Sequence, residues 1–294
     1  MKNVKGFFFI LFVLAGSLSA CGHDHAEVNE SSGITESNRS KKLESVKAFK
    51  YYLDAGSESI LSKMKQQDLV IVEPVVMERE YITEAQESGT LVYGYINSME
   101  ADKWNSELIA RFKEEAFFHN KNGDRHYIPK WDAYLMDISN RHYQDVLLNE
   151  IQRRVINAGL DGVFLDTVGS IEDYHHGDDK VLKQQQKGME LFMKRIKERF
   201  PDLSIAQNWG FETLSDYTAP YVDFVMWEQF DYSKITVDSW SQDMIEVLKK
   251  TREQYGIQVM TISFKEEKDS RALAETHGFK NLYHPAGSYY NEWE

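Results

Sequence analysis

The chain has 294 residues, of which 42% are hydrophobic and 13% aromatic, so it can bury a sizeable core and disorder throughout is excluded. Its 34 Lys and Arg residues against 47 Asp and Glu residues give a formal net charge of −13, which would repel phosphate backbones and excludes nucleic acid as a partner. Such a charge would attract a cationic substrate, although acidic surfaces also keep proteins soluble.

The first twenty residues have the pattern of a signal peptide. Lys2 and Lys5 give a positive start, an apolar stretch runs from Phe7 to Ala15, and small residues follow. The uncharged run is too short to span a bilayer comfortably, which takes about 20 apolar residues. We therefore predict that residues 1–20 direct export and are then removed.

The signal peptide ends in Leu18-Ser19-Ala20-Cys21, which resembles a bacterial lipobox. The resemblance implies a diacylglycerol on the Cys21 thiol, cleavage before Cys21 and acylation of the new amino terminus. More than one acyl chain meets the requirement for stable anchoring. We expect a lipid anchor in the cell membrane, with the protein facing outward (extracellular or periplasmic). An ordinary signal peptide with a chance cysteine is the alternative. Cys21 is the only cysteine, so no disulfide within the chain is possible.

Residues 21–44 contain few large apolar side chains and no sustained periodicity, which predicts a flexible tether. His23 and His25 could hold a metal, but a third ligand is missing and a plain linker is the favoured interpretation. Residues 45–294 are predicted to form one domain, and we expect it to be a monomer.

Beyond the tether, short apolar runs alternate with amphipathic stretches whose apolar residues lie three or four apart. Near-continuous apolar strands separated by helices indicate a buried parallel sheet, and eight such units predict a (β/α)8 TIM-type barrel. No Gly-rich phosphate loop follows the first strand, which disfavours nucleotide binding. Phe279–His284 is a ninth candidate, so either one of the eight strands lies outside the barrel or the strand count is off by one. The eight are Ala48–Leu53, Leu69–Val76, Leu91–Ile96, Tyr134–Ile138, Gly162–Asp166, Ser204–Asn208, Phe224–Glu228 and Ile257–Phe264.

A polar residue stands at nearly every predicted strand end. In a barrel these ends meet at one mouth, where function is concentrated. A carboxylate at the end of a buried parallel strand is not expected for structural reasons, because burial of an unpaired charge is costly. For Asp54 and Glu73, a helix cap or a solvated loop position is an equal alternative. The candidate residues are Asp54, Glu73, Asn97, Asp137, Asp166, Asn208 and Glu228.

Asp166 and Glu228 are the strongest candidates for catalysis. Each ends an apolar strand, and the two strands are two apart in sequence order, so both side chains can point into one layer of the barrel. Glycosidic cleavage needs such a pair, one carboxyl to protonate the leaving oxygen and the other to attack or to activate water. The apolar flank of Glu228 favours it as the group with the raised pKa. Tyr95, Trp104, Trp209 and Trp227 could stack on sugar rings, although packing is the favoured interpretation for Trp104.

Four segments have a characteristic order and spacing: Val92–Ile96, Gly159–Asp166, Gln207-Asn208 and Glu228–Tyr232. On these segments the chain, from about residue 46 onward, resembles glycoside hydrolase family 114, the endo-α-1,4-polygalactosaminidase group. The resemblance implies a barrel, no cofactor, Asp166 as nucleophile and Glu228 as acid/base. Gly169 stands where the family commonly has a further Asp, and Asn97-Ser98-Met99-Glu100 replaces its Gly-Glu pair. The strand ends and the nearby aromatic residues, considered without the resemblance, give the candidates for substrate binding: Asp54, Glu73, Tyr95, Asn97, Asp137, Asn208, Trp209 and Trp227.

Two other kinds of functional site, a metal site and an acyl-transfer site, are less well supported by the sequence. Asp173–Asp179 contains adjacent histidines that could ligate a metal, but solvated loop residues are the favoured interpretation, and we expect no metal site. No nucleophile-elbow motif is present, so acyl transfer is not supported. The sequence thus predicts a glycoside hydrolase that acts on an amino-sugar polysaccharide. A surface lipoprotein that binds saccharide without cleaving it remains the alternative.

Overall fold

The computed structural model describes residues 36 to 293, with side chains from residue 41 onward. The predicted signal peptide, Cys21, His23 and His25 lie outside the described residues. Within the described part of the chain, no helix is both long and apolar enough to cross a bilayer.

The strands of the described part form two sheets. The larger one has eight parallel strands in the order β1-β2-β3-β7-β8-β9-β10-β11 and forms a nearly closed barrel with helices between the strands. The (β/α)8 fold is therefore confirmed. In chain order the strands are β1 Phe49–Tyr52, β2 Leu69–Val72, β3 Leu91–Asn97, β4 Glu100–Asp102, β5 Tyr127–Ile128, β6 Ala133–Leu135, β7 Gly162–Asp166, β8 Ser204–Asn208, β9 Phe224–Glu228, β10 Gln258–Ser263 and β11 Lys280–Tyr283.

Several of the α-helices begin at a residue whose side chain caps them. The side chains of Ser57, Asn140 and Asp238 accept hydrogen bonds from the first turns of α2, α5 and α10 below, which satisfies otherwise free N–H groups. The helices are α1 Glu36–Ser45, α2 Glu58–Met64, α3 Arg79–Glu87, α4 Ser106–Ile109, α5 Arg141–Ile151, α6 Ser170–His175, α7 Asp179–Arg199, α8 Phe211–Thr213, α9 Tyr232–Ile235, α10 Ser239–Tyr255 and α11 Glu267–Thr276.

The barrel interior is filled by aromatic rings. Tyr93 and Phe164 each contact Phe224, at 5.1 and 6.3 Å between ring centroids, and the Tyr93 hydroxyl donates to Ser204 Oγ at 2.7 Å. Gly162 leaves room for the Tyr93 ring, because a Cβ at this position would overlap it. These side chains fill the barrel interior, so the functional groups lie at the barrel mouth, above the packed core.

The predicted fourth barrel strand, Tyr134–Ile138, is wrong. Its first residues belong to β6, which pairs antiparallel with β4 and β5 in a separate three-stranded sheet, while β3 pairs directly with β7. The ninth candidate, Phe279–His284, supplies β11, the eighth strand of the barrel sheet, which pairs with β10. A short apolar run fits either kind of sheet, because its periodicity carries no information about the direction of its neighbours.

Two predicted boundaries also need correction. The segment expected to be a tether up to residue 44 is helical from residue 36, and Leu43 is only 1% exposed. The Lys280 ammonium donates to the Glu44 carbonyl oxygen at 2.9 Å, so the end of this helix contacts the last barrel strand. The second strand stops at Val72 rather than Val76. Pro74 follows it and has no N–H to donate to a neighbouring strand.

Candidate active site

Three neighbouring strands, β7, β8 and β9, end in Asp166, Asn208 and Glu228. Because the strands are parallel, their last residues meet at the same mouth of the barrel. A residue with left-handed backbone follows each of them: Thr167 at φ 63°, Trp209 at φ 57° and Gln229 at φ 60°. Each such non-glycine conformation costs on the order of 1–3 kcal/mol, and such strain clusters at functional sites. The strained positions therefore mark these three strand ends.

Asn208 joins the two carboxyl groups. Its Nδ2 donates to Asp166 Oδ1 and to Glu228 Oε1, each at 2.7 Å. These two oxygens therefore lie no farther apart than twice that distance. The Oδ1 atom of Asn208 is buried and has no hydrogen-bond partner among the described residues. Asn208 thus holds the carboxyl pair at close range and keeps one acceptor free.

Asp166 is surrounded by hydrogen-bond donors. Besides Asn208, the Tyr95 hydroxyl donates to its Oδ2 at 2.8 Å and the Thr167 N–H donates to its Oδ1 at 2.7 Å. The Ser98 hydroxyl fixes the Asp166 backbone by donating to its carbonyl oxygen at 2.5 Å. Donors on both oxygens are the surroundings that suit an ionised carboxylate.

Glu228 has different surroundings. Burial and the negative charge of Asp166 raise the pKa of Glu228 to about 7, while hydrogen bonds from Tyr290 and Asn208 and the positive charge of Lys130 act in the opposite direction. The Tyr290 hydroxyl donates to Glu228 Oε2. Lys130 lies in the turn between β5 and β6. A carboxyl with a pKa near neutrality is suited to carry a proton at working pH, as a general acid must.

A second acidic group lies beside Asp166. Burial raises the pKa of Glu100 to about 7 and that of Asp102 to about 6, and the charge of Asp166 adds to both shifts. The Ser170 hydroxyl donates to Glu100 Oε1 at 2.9 Å, and the Asn97 amide contacts Asp102 Oδ2 at 3.4 Å. Neither carboxyl group is among the residues that the sequence predicts for the site, because both lie on β4, a short strand that the sequence pattern does not predict. The signal in the sequence is their closeness to Asn97, a predicted site residue that precedes Glu100 by three positions.

Tyr95 and Asn97, both predicted for the site, line a cleft beside Asp166 together with Glu73, Glu100, Asp102 and Trp104. Trp104, for which packing was the favoured interpretation, is instead 72% exposed. Glu73 forms an ion pair with Arg154 and also accepts from the Val75 N–H at 3.0 Å. The cleft therefore continues the site from Asp166 along one side of the barrel mouth.

Two predicted polar residues are not brought to the carboxyl pair. Asp54 is exposed, and its described hydrogen bond is to the next N–H, that of Ala55, at 2.7 Å. Asp137 does not end a barrel strand, because its segment lies outside the barrel, next to β6 of the smaller sheet. Its Oδ1 accepts from the Ser139 N–H and the Gln185 amide, at 2.9 and 2.7 Å. Both residues therefore have local structural partners where a substrate contact was expected.

The two predicted tryptophans lie in an aromatic cluster with Phe211, Phe230 and Trp240. Trp227 is only 1% exposed, so the expectation that it offers a face to a sugar ring is wrong. The strand alternation explains this, because Trp227 points opposite to Glu228. Trp209 is half-buried and stacks on Phe211 at 5.3 Å between centroids.

The segment Asp173–Asp179 was expected to be a solvated loop. Its first residues lie in α6 instead, and His175 is 3% exposed with its ring centroid 4.5 Å from that of Phe118. Burial lowers the pKa of His175. Among residues 36 to 293, no group of three or more His, Cys, Asp and Glu side chains is arranged to hold a metal ion.

Comparison with known proteins gives a family and a fold. The family model described as glycoside-hydrolase family GH114 matches residues 32–288. The glycoside hydrolase domain of PelA from Pseudomonas aeruginosa superposes with a TM-score of 0.64 at 18% identity, covering 82% of this chain and 96% of that one. Ega3 of Aspergillus fumigatus, solved with galactosamine, gives 0.59 at 14% identity and coverages of 81% and 90%. No curated protein sequence matches the chain.

Proposed function

Because the chain belongs to glycoside-hydrolase family GH114 and is therefore a glycoside hydrolase, we propose that it cleaves an α-1,4-linked galactosamine-containing polysaccharide, or a related amino-sugar polymer, at internal bonds. Asp166 is the nucleophile and Glu228 is the acid/base. The single observation that carries this mechanism is the Asn208 amide, which donates to both carboxyl groups at 2.7 Å.

The short separation favours retention of configuration. Carboxyl groups about 5–5.5 Å apart leave no room for a water molecule between carboxylate and sugar, whereas inverting enzymes need about 6.5–9.5 Å. The nearest oxygens of Asp166 and Glu228 lie within twice 2.7 Å. A carboxylate at this range can attack the sugar directly.

The reaction then has two steps. Glu228 gives its proton to the glycosidic oxygen while an Asp166 oxygen bonds to the anomeric carbon and the bond to the leaving sugar breaks. Glu228, now ionised, takes a proton from water, whose oxygen attacks the same carbon and releases Asp166. The raised pKa of Glu228, about 7, lets it act in both forms near neutral pH.

An amino-sugar substrate is supported by the charge of the cleft. The cleft is lined by the carboxyl groups of Glu73, Glu100, Asp102 and Glu150 and by one cation, Arg154, and the whole chain carries a formal charge of −13. Burial raises the pKa of Glu100 and Asp102, but an ammonium group beside them favours their ionised forms. Galactosamine units without acetyl groups are cationic, so such a cleft attracts them. The exposed Trp104 offers an aromatic face at the same cleft. A neighbour in fold, Ega3, has been solved with galactosamine, which agrees with this choice.

The test is hydrolysis of matched polymers by the soluble domain. We expect oligosaccharides of several lengths from partly deacetylated α-1,4-galactosaminan, detected by mass spectrometry and by new reducing ends. Chitosan has the same cationic group but a β-1,4 linkage and should give no product. Cleavage of neutral α-glucans alone would contradict the amino-sugar assignment. Binding of the galactosaminan without any product would contradict the enzyme and favour a saccharide-binding lipoprotein.

We also propose that the protein is anchored to the membrane through lipid on Cys21 and faces outward. The lipobox-like Leu18-Ser19-Ala20-Cys21 motif supports this. A Cys21→Ser variant should leave the membrane fraction or remain an unprocessed precursor, since the modified thiol is missing. Labelled palmitate should enter the wild type alone. A wild type that takes up no label, with a variant that still sediments with membranes, would contradict the anchor.

A further inference from the structure

The segment that follows β11, residues 285–293, reaches the first barrel strand. We call it the C-terminal strap. The Leu53 N–H donates to the Tyr290 carbonyl oxygen at 2.8 Å, and Lys63 Nζ donates to the Trp293 carbonyl oxygen at 2.8 Å. The Trp293 ring also contacts that of Tyr52 at 5.4 Å between centroids. The strap is therefore fixed to β1 and α2 by both backbone and side chains.

The strap brings Tyr290 to the catalytic carboxyl group. Its side chain is 5% exposed and stacks on Tyr51, at 3.9 Å and 19°, and on His284, at 4.9 Å and 20°. His284 is itself held, since its Nε2 lies 2.8 Å from the Tyr289 carbonyl oxygen and its Nδ1 lies 3.3 Å from Lys50 Nζ. This stacking orients the Tyr290 ring, and the hydroxyl donates to Glu228 Oε2.

We propose that Tyr290 is a positioning residue for Glu228: it fixes the Oε2 atom and sets the ease with which the acid/base gains and loses its proton. This inference rests on the proposed function, in which Glu228 is the acid/base. Tyr290 lies beyond residue 288, where the match to the GH114 family model ends. The strap, and not a barrel strand, supplies this residue to the site.

A tyrosine hydroxyl suits both states of the acid/base. It can donate to an ionised carboxylate and can accept from a protonated carboxylic acid. Asn208 Nδ2, on the other oxygen, can only donate. Burial and the nearby charge of Glu228 raise the pKa of Tyr290 well above its usual value, so the hydroxyl keeps its proton. The Tyr290 hydroxyl can therefore stay hydrogen-bonded to Glu228 in both steps of the reaction.

The groups that face Glu228 come from several elements. Asp166 on β7 is negative, Lys130 in the β5–β6 turn is positive, and Asn208 and Tyr290 are neutral donors. Tyr51, on β1, keeps its proton because burial raises its pKa. Removal of the Tyr290 hydroxyl takes away a donor to the ionised form and leaves both neighbouring charges in place. The hydrogen bond to the ionised form is the stronger of the two, because it is charge-assisted, so its loss raises the pKa of Glu228.

The test is a Tyr290→Phe variant, which keeps the stacked ring and loses only the hydroxyl. We expect the pKa of Glu228 to rise by about one pH unit, the size of the difference between a hydrogen bond to a charged group and one to a neutral group. Carboxyl-carbon NMR of glutamate-labelled protein measures this directly, with the Glu228 signal assigned by its loss in Glu228→Gln. The alkaline limb of kcat/KM should move upward by the same amount.

Tyr289→Phe is the matched control, because Tyr289 is the neighbouring strap tyrosine and is 71% exposed. It should leave both the titration and the pH profile unchanged. An unaltered Glu228 titration in Tyr290→Phe would overturn the inference and reduce Tyr290 to a packing residue. Full activity in Glu228→Gln would instead overturn the proposed function, so the two failures are distinguishable.

Discussion

An Asp166→Asn variant should lose about four orders of magnitude or more in the rate of polysaccharide cleavage, comparable with removal of other covalent nucleophiles. The amide has the size of the carboxylate but neither its charge nor its ability to form the glycosyl ester. The fold should survive, since the amide oxygen can still accept from the Thr167 N–H and the amide nitrogen can donate to the Tyr95 hydroxyl, which can also accept. The release of reducing ends measures the rate, and the thermal midpoint checks the fold.

Asp202→Asn is the matched control, because Asp202 is an exposed residue in the loop before β8, at the opposite end of the strand from Asn208. Its activity should equal that of the wild type. Proton NMR of the first product formed by the wild type tests the role of Asp166 further, since a nucleophile on the enzyme requires retained anomeric configuration. A first product of inverted configuration, or an active Asp166→Asn variant, would contradict the assignment.

The part of the site that the sequence predicts well comes from continuous apolar strands. The strands that end in Asp166, Asn208 and Glu228 have the predicted bounds, because each is a buried run that stops at a polar residue. Parallel pairing then requires their ends to meet. The structure adds the hydrogen bonds from Asn208, which no spacing in the sequence could have given.

The parts that were missed depend on contacts between distant segments. Tyr290 follows no strand end and lies 62 positions from Glu228, so no local pattern connects the two residues. Trp227 looked available because it precedes Glu228, but its position on the opposite face buries it in an aromatic cluster. The Tyr134–Ile138 segment was placed in the barrel because a short apolar run does not reveal which strand it pairs with.

A Glu228→Gln variant should lose about 10²- to 10⁴-fold in the cleavage of the natural polymer, the range associated with loss of a general acid. Glutamine keeps the shape and the contacts with Asn208 and Tyr290 but has no proton to give to the leaving oxygen. In the wild type, kcat/KM should be high below pH 7 and should fall as the pH rises through the pKa of Glu228, about 7, because the acid is then ionised. This alkaline limb should be absent from the residual activity of the variant.

A comparison of substrates with poor and good leaving groups distinguishes loss of the general acid from general damage to the site. An aryl glycoside with a good leaving group needs little protonation, so the first step in Glu228→Gln should be nearly as fast with it as in the wild type. The second step still lacks its base, and a burst of phenol followed by slow turnover is expected. Azide, a nucleophile that needs no base, should restore turnover and give a glycosyl azide of retained configuration.

Glu253→Gln, on the exposed face of α10, is the matched control and should behave as the wild type. Equal losses on the polymer and the aryl glycoside, with an unchanged alkaline limb, would show that Glu228 is not the acid/base.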